Sequence, residues 1–89
     1  MVNALILLNV DRDKVNDVAE KLSEIEGVSE VYSVAGRYDL AVVVRAKDND
    51  HLADLVTGTL LRIEGIQKSE TLFAFRVYSK HDLDRMFSI

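Results

Sequence analysis

Two stretches of this chain are apolar on both faces that an extended backbone presents. In Val2 to Val10, one face carries Val2, Ala4, Ile6, Leu8 and Val10, and Leu5 and Leu7 fill the middle of the other between Asn3 and Asn9. From Leu40 to Ala46, Leu40, Val42 and Val44 alternate with Ala41 and Val43. Side chains alternate along a strand, so both stretches predict strands in the middle of a sheet. Val28 to Val34 is weaker, with Val28, Tyr32 and Val34 on one side and Val31 on the other between serines. Glu30 interrupts its apolar pattern and places this strand at an edge. Ile66 to Tyr78 predicts the last strand, with Phe73, Phe75 and Val77 on one face and Leu72, Ala74 and Tyr78 on the other.

Between the strands the apolar period changes to that of a helix. Val15, Val18, Ala19, Leu22 and Ile25 line one face after Asp11-Arg12-Asp13, which offers capping oxygens, and Gly27 marks the end. Leu52, Leu55, Val56, Leu60 and Ile63 form a second stripe between Asp48-Asn49-Asp50 and Gly65. Ile25-Glu26-Gly27-Val28 returns as Ile63-Glu64-Gly65-Ile66, thirty-eight residues later. The same offset lays the first strand over Leu40–Asp48 and the first helix over the second. Two such units give a ferredoxin-like βαββαβ fold of the α+β class. Right-handed crossovers then put both helices on one face of a four-stranded antiparallel sheet. The first and third strands are central, and Gly36-Arg37 turns the second into the third as a hairpin.

Two helices shield one side of such a sheet. The other side presents Leu5, Leu7, Ala41, Val43 and one face of the last strand. Monomers seldom expose so large an apolar patch. Covering roughly 600 Å² of it per subunit contributes on the order of 15 kcal/mol before association costs, which favours a dimer with the sheets face to face. The competing expectation is that residues 79–89, a C-terminal tail with Leu83, Met86 and Phe87, fold over that face.

Composition narrows the function classes. The 89 residues make one domain, 1–89, without cysteine or proline, so thiol chemistry and thiolate metal sites are excluded. The net charge of −4, with its basic residues scattered, argues against direct nucleic-acid binding. The apolar run Ala4–Leu8 is too short to span a membrane and lacks a signal peptide's flanks, so a cytoplasmic location is expected. No catalytic motif is present, and no cofactor or metal is expected. His51 and His81 are expected to be ordinary surface histidines, and the aspartate pairs are expected to cap helices.

Gly36-Arg37-Tyr38-Asp39 is the one constellation that suggests a ligand. Its glycine allows backbone approach and free N–H groups, Asp39 suits an ammonium, and Arg37 and Tyr38 can donate. An α-amino acid needs both kinds of partner. The same residues also make a plain hairpin turn, with a surface Arg and a Tyr packed at the sheet edge.

At this turn the chain resembles the ligand-binding (RAM) domain of the Lrp/AsnC, or feast/famine, family. The carriers are Gly36, Tyr38 and Asp39, the hydrophobic strand that follows, Asp48, the Gly65-Ile66 step, and Ser69 with Thr71. The resemblance implies dimers joined through their sheets and assembled into rings, commonly octamers. Amino-acid effectors then bind between dimers, at Gly36, Arg37, Tyr38 and Asp39 with Ser69 and Thr71. Thr57 and Leu61 on the second helix are matched by location alone. Typical members carry an N-terminal helix-turn-helix, whereas this sequence starts at the first strand and so resembles the stand-alone RAM proteins. Co-assembly with full-length Lrp/AsnC regulators is a partnership that the resemblance implies, with no DNA contact of its own. Two other readings share the topology: a small dimeric α+β-barrel enzyme of the monooxygenase or isomerase type, and a purely structural oligomerisation subunit.

Overall fold

The computed structural model describes residues 1–78. Its elements are β1 (Val2–Val10), α1 (Val15–Ser23), β2 (Val28–Ser33), β3 (Leu40–Ala46), α2 (Asn49–Gly58), a 3-10 turn at Leu60–Arg62, and β4 (Ile66–Ala74). The strands form one antiparallel sheet in the order β2-β3-β1-β4. The two strands that are apolar on both faces are therefore the inner pair, and the fold is the expected ferredoxin-like α+β arrangement. The C-terminal tail, 79–89, and with it His81 and the expectation that the tail covers the open face, lies outside the described residues.

Cross-strand pairs Ala4–Val44, Ile6–Val42 and Leu8–Leu40 set the helix-side face of the inner strands. Directly opposed residues share a face, so these pairs form a continuous aliphatic layer. Val18 and Leu22 of α1, Leu52, Leu55 and Val56 of α2, and Leu60 close over it. Ile6, Leu8, Leu22, Leu40, Leu52 and Leu60 are fully buried. Each contributes about 1.5–3 kcal/mol relative to exposure. On the opposite face Leu5 stands between Val43 and Leu72, and Leu7 between Ala41 and Glu70. Nothing in the chain's described part covers that face.

Several local expectations change. A bulge at Ser29 puts Val28 opposite Val44 and Val31 opposite Val42, so both valines face the helices and Tyr32 faces the open side. Strict alternation had put Val28 with Tyr32; one inserted residue reverses the parity. β4 stops at Ala74 and not at Tyr78, because its partner β1 runs out at the Asn3–Ala74 pair. The second helical stripe is α2 broken at Gly58-Thr59 and continued as the 3-10 turn. Consequently Val15 and Asn49, where the helices begin, are thirty-four residues apart, while Gly27 and Gly65 keep the thirty-eight. The second unit is about one turn longer. Asp48 caps α2, accepting from the His51 N–H at 2.8 Å. The expected cap of α1 is absent: its first turn is led by Lys14 without a side-chain cap, and Asp11 instead accepts from Gln67 in β4.

The repeated glycines have positive φ, 101° at Gly27 and 108° at Gly65. Each also sits against the other unit's helix. A Cβ on Gly27 would lie 3.0 Å from a Leu55 methyl, and one on Gly65 3.2 Å from a Val18 methyl. Each glycine carbonyl accepts a strand-end amide, from Arg45 at 2.7 Å and Asp11 at 2.8 Å. Backbone strain of about 1–2 kcal/mol adds to the crowding. Gly27→Ala and Gly65→Ala are each expected to lower the thermal midpoint by on the order of 10 °C in calorimetry, since 1 kcal/mol shifts a domain of this size by about 4–8 °C.

Candidate ligand-binding site

The hairpin loop between β2 and β3 is closed by the Val34 N–H donating to the Asp39 carbonyl at 3.0 Å. Gly36 has φ 128°, and a Cβ there would meet nothing within 4 Å, so this glycine serves the turn's conformation and not close packing. The loop is tied to the end of β1 at three points. Asp39 N–H donates to the Leu8 carbonyl at 2.9 Å, and the Asn9 side-chain amide donates to the Arg37 carbonyl at 2.7 Å. The Val10 N–H donates to Asp39 Oδ2 at 2.8 Å. Here β1 and β4 slip register, with Gln67 as the extra residue between the Asn9–Lys68 and Val10–Ile66 pairs. The Asp39 carboxylate thus supplies Val10 with an acceptor at the strand's end, while Asp39 itself stays half-buried.

These tethers leave an open groove of about 440 Å³ lined by Asn9, Val10, Arg37, Asp39, Gln67 and Lys68. One carboxylate stands among two cations and two carboxamides. That set can hold a ligand bearing both an ammonium and a carboxylate. Asn9, Gln67 and Lys68 were not anticipated. Their presence follows from the β1–β4 register and its bulge, which no local pattern announces.

The other expected site residues are divided between places. Tyr38 donates its hydroxyl to the Glu70 carboxylate, which lies on the open face opposite Leu7. Ser69 and Thr71 pair with the buried Leu8 and Ile6, so they lie on the helix side of β4. Thr71 and Thr57 line a separate apolar cavity of about 170 Å³ between α2 and β4, with Leu52, Val56 and Phe73. Ser69 and Leu61 are exposed and line neither space. A single subunit therefore brings together Arg37 and Asp39 but does not join them to Thr57, Leu61, Ser69 or Thr71. Among the described residues no polar side chain is fully buried.

The hydrogen bond to Glu70 is the main cause that raises the Tyr38 phenol above its ordinary value near 10, followed by partial desolvation. Glu30 does the same for Tyr32 on the open face. Folding favours the protonated phenols, so their contribution is complete below pH about 10 and is lost as pH climbs through the raised values. Absorbance titration near 295 nm is expected to show two of the three tyrosines ionising late, with Glu70→Ala returning one of them toward the ordinary range. Asp39 gives a second test. Asp39→Ala strands the Val10 N–H and is expected to cost about 1–3 kcal/mol in denaturant unfolding. Asp39→Asn keeps an acceptor and should recover most of that loss.

Comparison with known proteins places the chain in a family. Residues 3–83 match the family model of the Lrp/AsnC ligand binding domain. An HTH-type transcriptional regulator of Pyrococcus horikoshii, PH1916, is 36% identical over 75 residues, covering 81% of this chain and 50% of that protein. The crystal structure of TTHA0845 from Thermus thermophilus superposes with a TM-score of 0.83 at 42% identity, covering 90% of this chain and all of that one. A feast or famine regulatory protein from M. tuberculosis, solved as a complex with L-methionine, shares the fold, with a TM-score of 0.76 at 23% identity over 90% of this chain and 54% of that one. The chain spans about half the length of the Pyrococcus regulator. No helix among the described residues is long and apolar enough to cross a membrane. The matched Pyrococcus protein is named as a transcriptional regulator. The chain belongs to the Lrp/AsnC ligand-binding-domain family.

Proposed function

We propose that this chain is an amino-acid-sensing regulatory module that binds its effector in the Arg37–Asp39 groove and assembles through its open sheet face. The observation that carries the reading is the groove itself: Asp39 held at the end of β1, with Arg37 and Lys68 beside it. The carboxylate is matched to an α-ammonium and the two cations to an α-carboxylate. The methionine complex of the M. tuberculosis relative supports a ligand of this class. Thr57, Ser69, Thr71 and Leu61 enter the site from a neighbouring dimer in the assembled ring, for which an octamer is the working size. Full-length Lrp/AsnC regulators are candidate co-assembly partners, and the module makes no DNA contact of its own.

Assembly and ligand meet at Tyr38. Its backbone belongs to the groove's turn, and its hydroxyl holds Glu70 in the open face beside Leu7. An effector that prefers one position of the turn thereby biases the face through which subunits pair. The size of that bias is set by its differential affinity for the two states.

A thermal-shift screen of the twenty amino acids is expected to give a stabilising subset. At one hundred times Kd a ligand adds about 2.7 kcal/mol. Asp39→Asn should abolish that shift while remaining folded; an undiminished shift would reject the site, and a flat screen of the parent would favour a scaffolding subunit. Leu7→Lys places a charge in the middle of the open face. Sedimentation is expected to show its assemblies falling apart to protomers at micromolar concentration, whereas an unchanged mass would remove this face as the interface.

A further inference from the structure

The chain has a second groove at the opposite end of the sheet. It is an open cavity of about 410 Å³ whose lining includes Gly27, Ser29, Arg45, Lys47 and His51. Its construction repeats that of the Asp39 groove. Each is made from the end of one inner strand, the bulged start of an edge strand and the lead-in to the other inner strand. The first uses β1, β4 and β3, and the second uses β3, β2 and β1. The bulge residues Ser29 and Gln67 are thirty-eight positions apart, and each follows its positive-φ glycine by two. Asn9 of the first groove is answered at the same spacing by Lys47.

The correspondence breaks at one place that decides the chemistry. Asp39 of the first groove is answered by Met1 in the second, so the position that carries the anchored carboxylate in one groove carries none in the other, and the acid of the second lining comes from elsewhere. Arg45 and Lys47 supply two cations and Ser29 a hydroxyl. His51 Nδ1 accepts from the Lys47 N–H at 3.1 Å, which leaves the proton of the neutral ring on Nε2 as a further donor. Glu26 is the single acid in the lining, on the loop before Gly27. Both linings hold two cations and one acid, in a chain where fifteen acids outnumber eleven bases; they differ in that Asp39 is fixed on the Val10 N–H whereas Glu26 is an exposed loop residue.

We infer that this second groove binds a small oxyanion, a phosphate or a carboxylate. Arg45 and Lys47 take its oxygens, and Ser29 and His51 act as neutral donors. This site stands without the effector reading of the first groove, because it uses none of that groove's residues.

Amide NMR shifts of the full chain, followed at low ionic strength, test it. The titrants are sodium phosphate, sodium succinate and sodium chloride at matched ionic strength, since surface charge interactions weaken with salt. Saturable shifts at Ser29, Arg45, Lys47 and His51 with phosphate or succinate, and not with chloride, are expected. Whichever oxyanion saturates first names the class. The Arg45→Gln/Lys47→Gln double variant should weaken that binding at least tenfold while leaving shifts at Arg37 and Lys68 as in the parent. Lys47→Gln alone serves if the double variant loses its folded spectrum. Shifts that follow ionic strength equally for all three salts, that centre on Arg37 and Lys68, or that persist in the variants overturn the proposal.

Discussion

The structure depends on the aliphatic layer formed where β1 and β3 lie side by side. Ile6 against Val42 and Leu8 against Leu40 build a surface that both helices cover at once. Every other element takes its position from that contact. Because side chains alternate, burying this face of the inner strands sends Leu5, Leu7, Ala41 and Val43 to the far side. The apolar character of the open face is thus a geometric result of how the core is made.

The edge strands show a different physics. Each joins its inner neighbour through a bulge placed two residues after a glycine, and each bulge opens a groove at one end of the sheet. In the first, Asp39 satisfies the amide at the end of β1 and so turns a ladder defect into a lined cavity. A bulge re-aims side chains without altering the strand's composition, which makes it an economical way to build a site at a sheet's rim.

Much of this was legible in the sequence. Apolarity on both faces identified the inner strands, and the Ile-Glu-Gly echo identified the paired units and their glycines. The faces of β2 were misread because an inserted Ser29 changes parity, and parity is all that alternation records. The site was legible only where it is local. Gly36 to Asp39 stands out as a run of unusual residues, but Asn9, Gln67 and Lys68 join it through register, which depends on pairs far apart in the chain. Thr57 and Thr71 were grouped with the turn by resemblance; in one subunit they face another cavity, because Thr71 follows the parity of buried Ile6. Asp11 looked like a helix cap and went to Gln67 instead, since a carboxylate beside a neighbouring strand has a choice of donors.

The attachment of Asp39 to Val10 carries a consequence for how the groove can diversify. Under the proposed function Asp39 both closes a strand and faces the effector, so it cannot be exchanged freely to suit a new one, because most replacements loosen the framework. Relatives that shift their preference would therefore be expected to vary the flanks, at the positions of Arg37, Gln67 and Lys68, while the acidic anchor is retained as a fixed point of the architecture.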